Sequence, residues 1–374
     1  MSALLDATLG HLRALVGFDT RNPPRAIGTG GIFDYLRARL PGFDVCVSDH
    51  GAGAVSLFAT RGTPELLFNV HLDTVPDSPQ WTASPFELRV AGDRAIGLGA
   101  CDIKGAAATL LAVANADRGD MALLFTTDEE GAGPRCIRAF LDAARAPGPR
   151  SPARTFDAVI VAEPTRCKAV LAHRGIQSVH AAFAGRAGHA SSAQQPSDSA
   201  LHQAVRWSHA ALDYAERQSG KNFGGLHGLR FNLGRIEGGI KANMIAPSAE
   251  VRFGMRPLPS MDMDDLLDRM RTLVAQAPAE LREMFRGPPL PADTTNVEAS
   301  QHAARALAGR LGVAVGGAVD FWTEAALFSQ AGYTAFVYGP GDIAQAHSAD
   351  EWVALEQLRA HAEAVHRIVT GDTA

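Results

Sequence analysis

Four segments of the chain share one pattern, a short apolar run that stops abruptly at acids or a histidine. They are ELLFNVHLDTVP (65–76), MALLFTTDEE (121–130), FDAVIVAEPT (156–165) and TAFVYGPGDIAQAH (334–347). Runs this short, apolar on both faces and bounded by Gly, Pro and polar residues, predict buried strands of a mostly parallel sheet. Helical patterns lie between and after them: KGAAATLLAVANA (104–116), CIRAFLDAARA (136–146) and NVEASQHAARALAGRLG (296–312). The start, MSALLDATLGHLRALVGF, reads as an amphipathic helix. The middle differs. IQSVHAAFAG, LRFNLGRIEGG and PSAEVRFGMRP alternate apolar and polar residues, around the helical patterns ALHQAVRWSHAALDYAER (200–217) and MDMDDLLDRMRTLVAQ (261–276). That mixture predicts an α+β layer with one wet sheet face. The expected architecture is an α/β domain in two pieces, 1–174 and 290–374, with an α+β lid domain, 175–289, inserted between them. APGPRSPAR (146–154) reads as a surface loop to which no function is assigned.

Composition narrows the class. A chain of 374 residues exceeds the size at which one core usually stops growing, so two domains are expected. Hydrophobic content of 46% and charged content of 20% suit a globular enzyme, and a net charge of −5 argues against nucleic acid or an anionic membrane as partner. The N-terminus lacks the basic region of a signal peptide, and no apolar run approaches a membrane span. Cys46, Cys101, Cys136 and Cys167 are scattered, with no CxxC pair, which suggests neither a disulfide framework nor a thiolate metal site. A reducing cytoplasm is the expected location.

Candidate chemistry sits at the ends of the four apolar runs. Side chains two apart share a strand face, so His71 and Asp73 can project together, as a ligating imidazole and the carboxylate that holds its other nitrogen. Taken singly, HLD fits a loop hydrogen bond as well as a ligand. Asp102, in the glycine-rich GLGACD turn before a helix, fits an N-cap equally well. Glu163 could simply turn into solvent before its proline, and His347 is one of thirteen histidines. Parallel strand ends converge on one crevice, however, and together His71, Asp102, Glu130, Glu163 and His347 form an N/O donor set suited to Zn²⁺, Co²⁺ or Mn²⁺. The adjacent acids Asp128, Glu129 and Glu130 repel one another, and a cation would offset that. Neighbouring side chains point in different directions, so one acid can bind metal while another acts as general base.

In their order, HLDTVP, GLGACDIKG, TTDEEGAG, AEPT and QAH resemble the motifs of the M20 family of metallopeptidases and amidohydrolases. GRAGHAS and GGIKANMIAP resemble that family's lid. The resemblance implies one metal site from His71 and Glu163, a second from Glu130 and His347, and Asp102 bridging them. It implies Glu129 as general base and Asp73 as the residue that orients His71. It also implies His189 as stabiliser of an oxyanion, and Asn243 and Arg256 as substrate-binding residues, although Arg256 reads nearly as well as a surface strand residue. DFWTEAALF and YGPGDIAQAHSADEW are similar to the acetylornithine deacetylase branch, in which Glu324 is a further substrate-binding candidate. GGIFDYLRARLPGF and DFWTEAALF are most similar to members acting on N-acetyl-L-citrulline, with N-acetyl-L-ornithine as the alternative, and another M20 dipeptidase or desuccinylase or a non-catalytic binding protein as the remaining ones. The resemblance further implies one or two Zn²⁺ or Co²⁺ ions, a small N-acetylated amino acid as substrate, a place in arginine biosynthesis, and a homodimer through the lid.

Overall fold

The structure, a computed structural model, describes residues 2–24, 27–131, 133–145, 156–193, 195–293 and 296–371. The 146–154 loop lies outside the described residues. From the N-terminus the elements are α1 (Ala3–Val16), α2 (Ile32–Ala38), β1 (Asp44–Asp49), β2 (Val55–Arg61), β3 (Leu66–His71), β4 (Arg89–Ala91), β5 (Arg94–Ile96), α3 (Lys104–Ala116), β6 (Met121–Thr126), α4 (Arg135–Arg145) and β7 (Ala158–Val161). The middle holds β8 (Ile176–Ala184), β9 (Gly188–His189), α5 (Ala200–Arg217), β10 (Asn222–Phe223), β11 (Leu226–His227), β12 (Arg230–Gly238), β13 (Met244–Ile245), β14 (Ser248–Arg256), α6 (Met263–Arg271) and β15 (Glu280–Gly287). The chain ends with α7 (Val297–Arg310), α8 (Ala325–Gln330), β16 (Thr334–Val337), β17 (Trp352–Ala354) and α9 (Leu355–Thr370).

Two compact units emerge from the packing. The first comprises Met1–Leu171, Glu298–Gly316 and Thr323–Ala374; the second comprises Ala172–Val297 and Gly317–Trp322. This division differs from the expected bounds of 174/175 and 289/290 in placing 172–174, 290–297 and the short return Gly317–Trp322 with the second unit. Asp320 accepts from the buried Arg174, and Trp322 Nε1 donates to the Pro288 carbonyl, so side-chain hydrogen bonds draw it into the second unit.

The first unit is built on a six-stranded sheet in the order β1-β2-β6-β3-β7-β16. β6, β3, β7 and β16 run parallel, while β1 and β2 add antiparallel strands at one edge. β6 and β7 are buried at every position, as strands covered on both faces must be. α3 is buried along nearly its whole length, and its alanines let α1 and α9 pack closely against it. Register decides where the polar groups emerge: His71 lies opposite Thr126, and Asn69 opposite Val161. The carboxyl ends of three neighbouring strands therefore stop at one level, where ligands gather in parallel sheets.

The second unit is a four-stranded antiparallel sheet, β12-β14-β8-β15, whose inward face packs on α5. β8 alternates: Val179, Ala181 and Phe183 are buried in this core with Trp207, Val251 and Phe253. The helical pattern read over 261–276 extends only from Met263 to Arg271, because Thr272 caps it through the Asp268 and Arg269 carbonyls. No described helix is long and apolar enough to cross a membrane.

Candidate metal centre

His71 is the last residue of β3 and is almost fully buried. Its Nδ1 donates toward Asp73, 3.0 Å from the carbonyl and 3.3 Å from Oδ1, which leaves Nε2 turned toward Glu163 Oε1 at 3.8 Å. Burial opposes a charged imidazole, yet the hydrogen bond to Asp73 and the Glu163 and Glu129 charges hold His71 well above the ordinary histidine pKa. Asp73 is fully buried and gathers more than one donor: Asn22 Nδ2 at 3.0 Å, the Glu130 N–H at 3.0 Å and the Glu129 N–H at 3.3 Å. One carboxylate thus orients the imidazole and the acidic turn together.

The three adjacent acids divide their work. Asp128 Oδ2 accepts the N–H groups of Arg135 and Cys136 and caps the start of α4. Glu130 Oε1 lies 2.8 Å from His347 Nε2. Among the described residues, Glu129 is the acid of the three for which no side-chain hydrogen bond is found. Its carboxyl is pushed well above the ordinary range, first by burial and then by the Glu163 and Glu130 charges, with His71 opposing.

Asp102 does not cap α3: the residue at that position is Ile103, and no side chain caps the helix. Instead Asp102 Oδ2 lies 2.8 Å from His347 Nε2. Burial alone would raise Asp102, but that contact and the His71 charge bring it below the ordinary value. Ile103 takes φ of +101°, a left-handed conformation that is strained for a β-branched residue. Glu163 follows β7 and is pushed well above its ordinary pKa by burial, then by Asp102 and Glu130 against the pull of His71. The loop after β16 passes so near it that a Cβ on Gly339 would meet the Glu163 carbonyl at 2.5 Å. His347, at φ of +56°, is raised to about 11 by its hydrogen bonds to Asp102 and Glu130.

Two groups of potential ligands result: His71, Asp102 and Glu163, and Asp102, Glu130 and His347. Within each, donor atoms lie within 4.8 Å of one another, and Asp102 belongs to both. These residues fit a divalent cation. The donors are imidazole and carboxylate with no thiolate, and burial first, then neighbouring carboxylates, makes Glu129, Glu130 and Glu163 resist ionisation without one. Cys101 is buried next to Asp102, but burial pushes its thiol far up and its Sγ donates to the Asp342 carbonyl.

The other candidates stand apart in sequence and element. Glu324, fully buried before α8, accepts from Thr126 Oγ1 at 3.3 Å through Oε2; Oε1 has no hydrogen-bond partner among the described residues, and burial followed by the Asp128 charge pushes the group well up. His189 is on β9, paired with Met244 of β13, and its Nδ1 is 2.6 Å from Ser191 Oγ. Asn243 precedes β13 and its carbonyl accepts from the Ala190 N–H. Arg256 ends β14, where burial lowers its pKa. These three belong to the second unit.

Sequence reading missed the supports of the site. Asn22 is 51 positions from Asp73. Lys104, fully buried, donates from Nζ to the Phe18 carbonyl at 2.9 Å and ties α3 to the loop that carries Asn22. Glu351 accepts three N–H groups of the GLGACD turn. The short RNPP and DEW contexts carry no local signal for such contacts, which form only in the folded chain.

Known proteins resemble this chain at two levels, fold and sequence. Solved structures match over nearly the whole chain: aminopeptidase PepT from Bacillus cereus has a TM-score of 0.70 at 18% identity, covering 98% of both chains. An M20 family metallo-carboxypeptidase, Sso-CP2 from Sulfolobus solfataricus, has a TM-score of 0.68 at 15% identity over 99% of both. At those identities the likeness is one of fold. In sequence, N-acetyl-L-citrulline deacetylase of Xanthomonas campestris pv. campestris is 62% identical over 99% of this chain and 100% of its own length. Acetylornithine deacetylase of Edwardsiella ictaluri is 32% identical over 79% of this chain and 77% of its own. The model of peptidase family M20/M25/M40 matches residues 67–371, which takes in every residue of both ligand groups, and the chain belongs to that family.

Proposed function

We propose that this chain is a metal-dependent amide hydrolase that removes acetate from N-acetyl-L-citrulline, in arginine biosynthesis. The observation that carries the chemistry is the convergence, at one sheet edge, of two ligand groups sharing Asp102, with Glu129 left free of hydrogen bonds among the described side chains. The 62% identity to a deacetylase over the full chain supports the substrate. His71, Asp102 and Glu163 would hold one ion and Asp102, Glu130 and His347 a second; the donor chemistry suits Zn²⁺ or Co²⁺, one or two per chain. A divalent ion held there supplies Lewis acidity toward the acetamide carbonyl and toward water.

The chain's own residues do the proton work. Glu129 takes a proton from the attacking water and returns it to the leaving amine. Asp73 keeps the His71 tautomer with Nδ1 protonated. Three further roles rest on family resemblance: His189 donates to the developing oxyanion, and Asn243 and Arg256 bind the substrate, the guanidinium fork matching a carboxylate. We place the enzyme in the cytoplasm as a homodimer formed through the second unit. There β12 is an edge strand with Ile236 exposed and Arg235 paired with Glu237, a surface suited to antiparallel pairing with its own copy. N-acetyl-L-ornithine is the second reading; the acetylornithine deacetylase relative and the buried Glu324, whose Oε1 has no hydrogen bond among the described residues, favour it.

Glu129→Gln tests the assignment against its neighbour. It should abolish amine release while metal binding stays close to wild type, whereas Glu130→Gln should weaken one metal equivalent. Full turnover by Glu129→Gln would remove it from the mechanism.

A further inference from the structure

We propose that Glu351 is a positioning residue that sets the direction of Asp102, and so controls both ligand groups from outside them. The proposal rests on the metal-centre reading above and names a residue that reading does not use. Glu351 is 1% exposed, an unusual burial for a carboxylate that is neither a candidate ligand nor, among the described residues, part of an ion pair. Its oxygens are filled by backbone. Oε1 accepts the N–H of Cys101 at 2.8 Å and of Asp102 at 2.7 Å, and Oε2 accepts that of Gly99 at 2.9 Å. Successive N–H groups turned toward one anion form a nest, here occupied by a side chain of the protein itself.

Sequence distance and sheet register explain how it gets there. β17 pairs with β5 so that Trp352 lies opposite Ile96, and the Glu351 carbonyl accepts the Gly97 N–H at 3.0 Å. The residue before β17 is thereby laid along the residues after β5, which are the GLGACD turn. The same segment begins four residues earlier with His347. One short stretch therefore supplies a ligand to the second group and the anchor for the residue shared by both.

The anchor has something to hold. Gly99 has φ of +77°, and a Cβ there would come within 2.8 Å of Thr74 Cγ2, while Ile103 is forced to φ of +101°. A turn carrying strain at Ile103 keeps its shape only while its surroundings over-determine it. Three backbone N–H groups donating to one buried carboxyl group supply that constraint, the N–H of Asp102 among them.

The consequence is specific. Asp102 is common to both groups, so loosening it weakens both metal equivalents together, unlike loss of a ligand from one group. Glu351→Met keeps the volume and removes all three acceptors. Glu351→Gln keeps one acceptor oxygen, which can retain the two bonds at Oε1. Metal-stripped wild type and both variants are titrated with Co²⁺, following heat and the visible d–d absorption, and urea midpoints of the stripped proteins report whether the fold is kept. The expected result is that both equivalents weaken about 10-fold in Glu351→Gln and about 100-fold in Glu351→Met, with an altered absorption band. Glu130→Gln, run beside them, weakens one equivalent. If Glu351→Met does not fold, Glu351→Gln carries the test. Wild-type affinity and spectrum in Glu351→Gln, or loss of one equivalent only, would overturn the positioning role. Failure of the wild type itself to bind Co²⁺ would overturn the metal-centre reading and this role with it.

Discussion

Replacing Arg174 with Met should destabilise the second unit by about 2–5 kcal/mol, and the structure shows why the ion pair is not the reason. The guanidinium is fully buried and reaches four acceptors: Asp320 Oδ1 at 2.5 Å, the Gly228 carbonyl at 2.6 Å, the His227 carbonyl at 2.7 Å and the Arg256 carbonyl at 3.3 Å. Asp320 is 62% exposed, so water replaces its partner, and that pair contributes less than about 1 kcal/mol. The carbonyls are different. Loss of the short bond to the buried Gly228 carbonyl costs about 1–3 kcal/mol, loss of the one to the part-buried His227 carbonyl adds to it, and relief of the guanidinium's desolvation offsets part of the sum. Asp320→Asn should therefore cost less than about 1 kcal/mol, and Arg174→Met several times more. Hydrogen exchange of peptides covering β14, read by mass spectrometry across a urea series, localises the effect to this unit without assuming two-state unfolding. Equal protection loss in the two variants would refute the reasoning, because it would place the stabilisation in the ion pair.

Other consequences are equally direct. His361 is buried in α9 beside Thr109, and burial lowers its pKa to about 3, against about 6.5 in the unfolded chain. The unfolded state binds the extra proton between those values, so stability is fully present above pH 6.5 and falls as pH drops toward 3. The loss at pH 5 is about 2 kcal/mol, and urea unfolding at pH 7 and pH 5 should show that difference shrinking in His361→Gln. Asp73→Asn should weaken metal binding about 10–100-fold by calorimetry, because an amide cannot accept from His71, Asn22 and the two backbone N–H groups at once. Gly339→Ala drives a Cβ to 2.5 Å from the Glu163 carbonyl, and should lower the melting temperature of the stripped protein and its metal affinity together. Unchanged values for both would mean that the loop moves aside freely.

The strands that carry the site were legible because a parallel strand buried on both faces writes itself as an unbroken apolar run, and the polar residues closing it stand out. That is why His71, the 128–130 acids and Glu163 could be read at strand ends, and why β15 could not. ELREMFRG alternates charge with bulk on an edge strand and resembles a loop or helix as much as a strand. α6 was over-read because VAQ continues its apolar pattern past the Thr272 cap. The supporting residues were illegible for another reason. Asn22, Lys104, Arg174 and Glu351 act through hydrogen bonds to groups far along the chain, or to backbone atoms that every residue possesses. No periodicity marks such a partner. Asp102 lay between: its turn suggested an N-cap or a ligand, and the contact with His347 set it among the donors.

Amine release from N-acetyl-L-citrulline and N-acetyl-L-ornithine, measured side by side with Zn²⁺- or Co²⁺-loaded protein and a metal-stripped control, tests the central claim most directly. The account predicts rapid release from the citrulline derivative, slower release from the ornithine derivative, and neither without metal. Turnover that survives complete metal removal, or no release from either substrate by loaded protein, would contradict it.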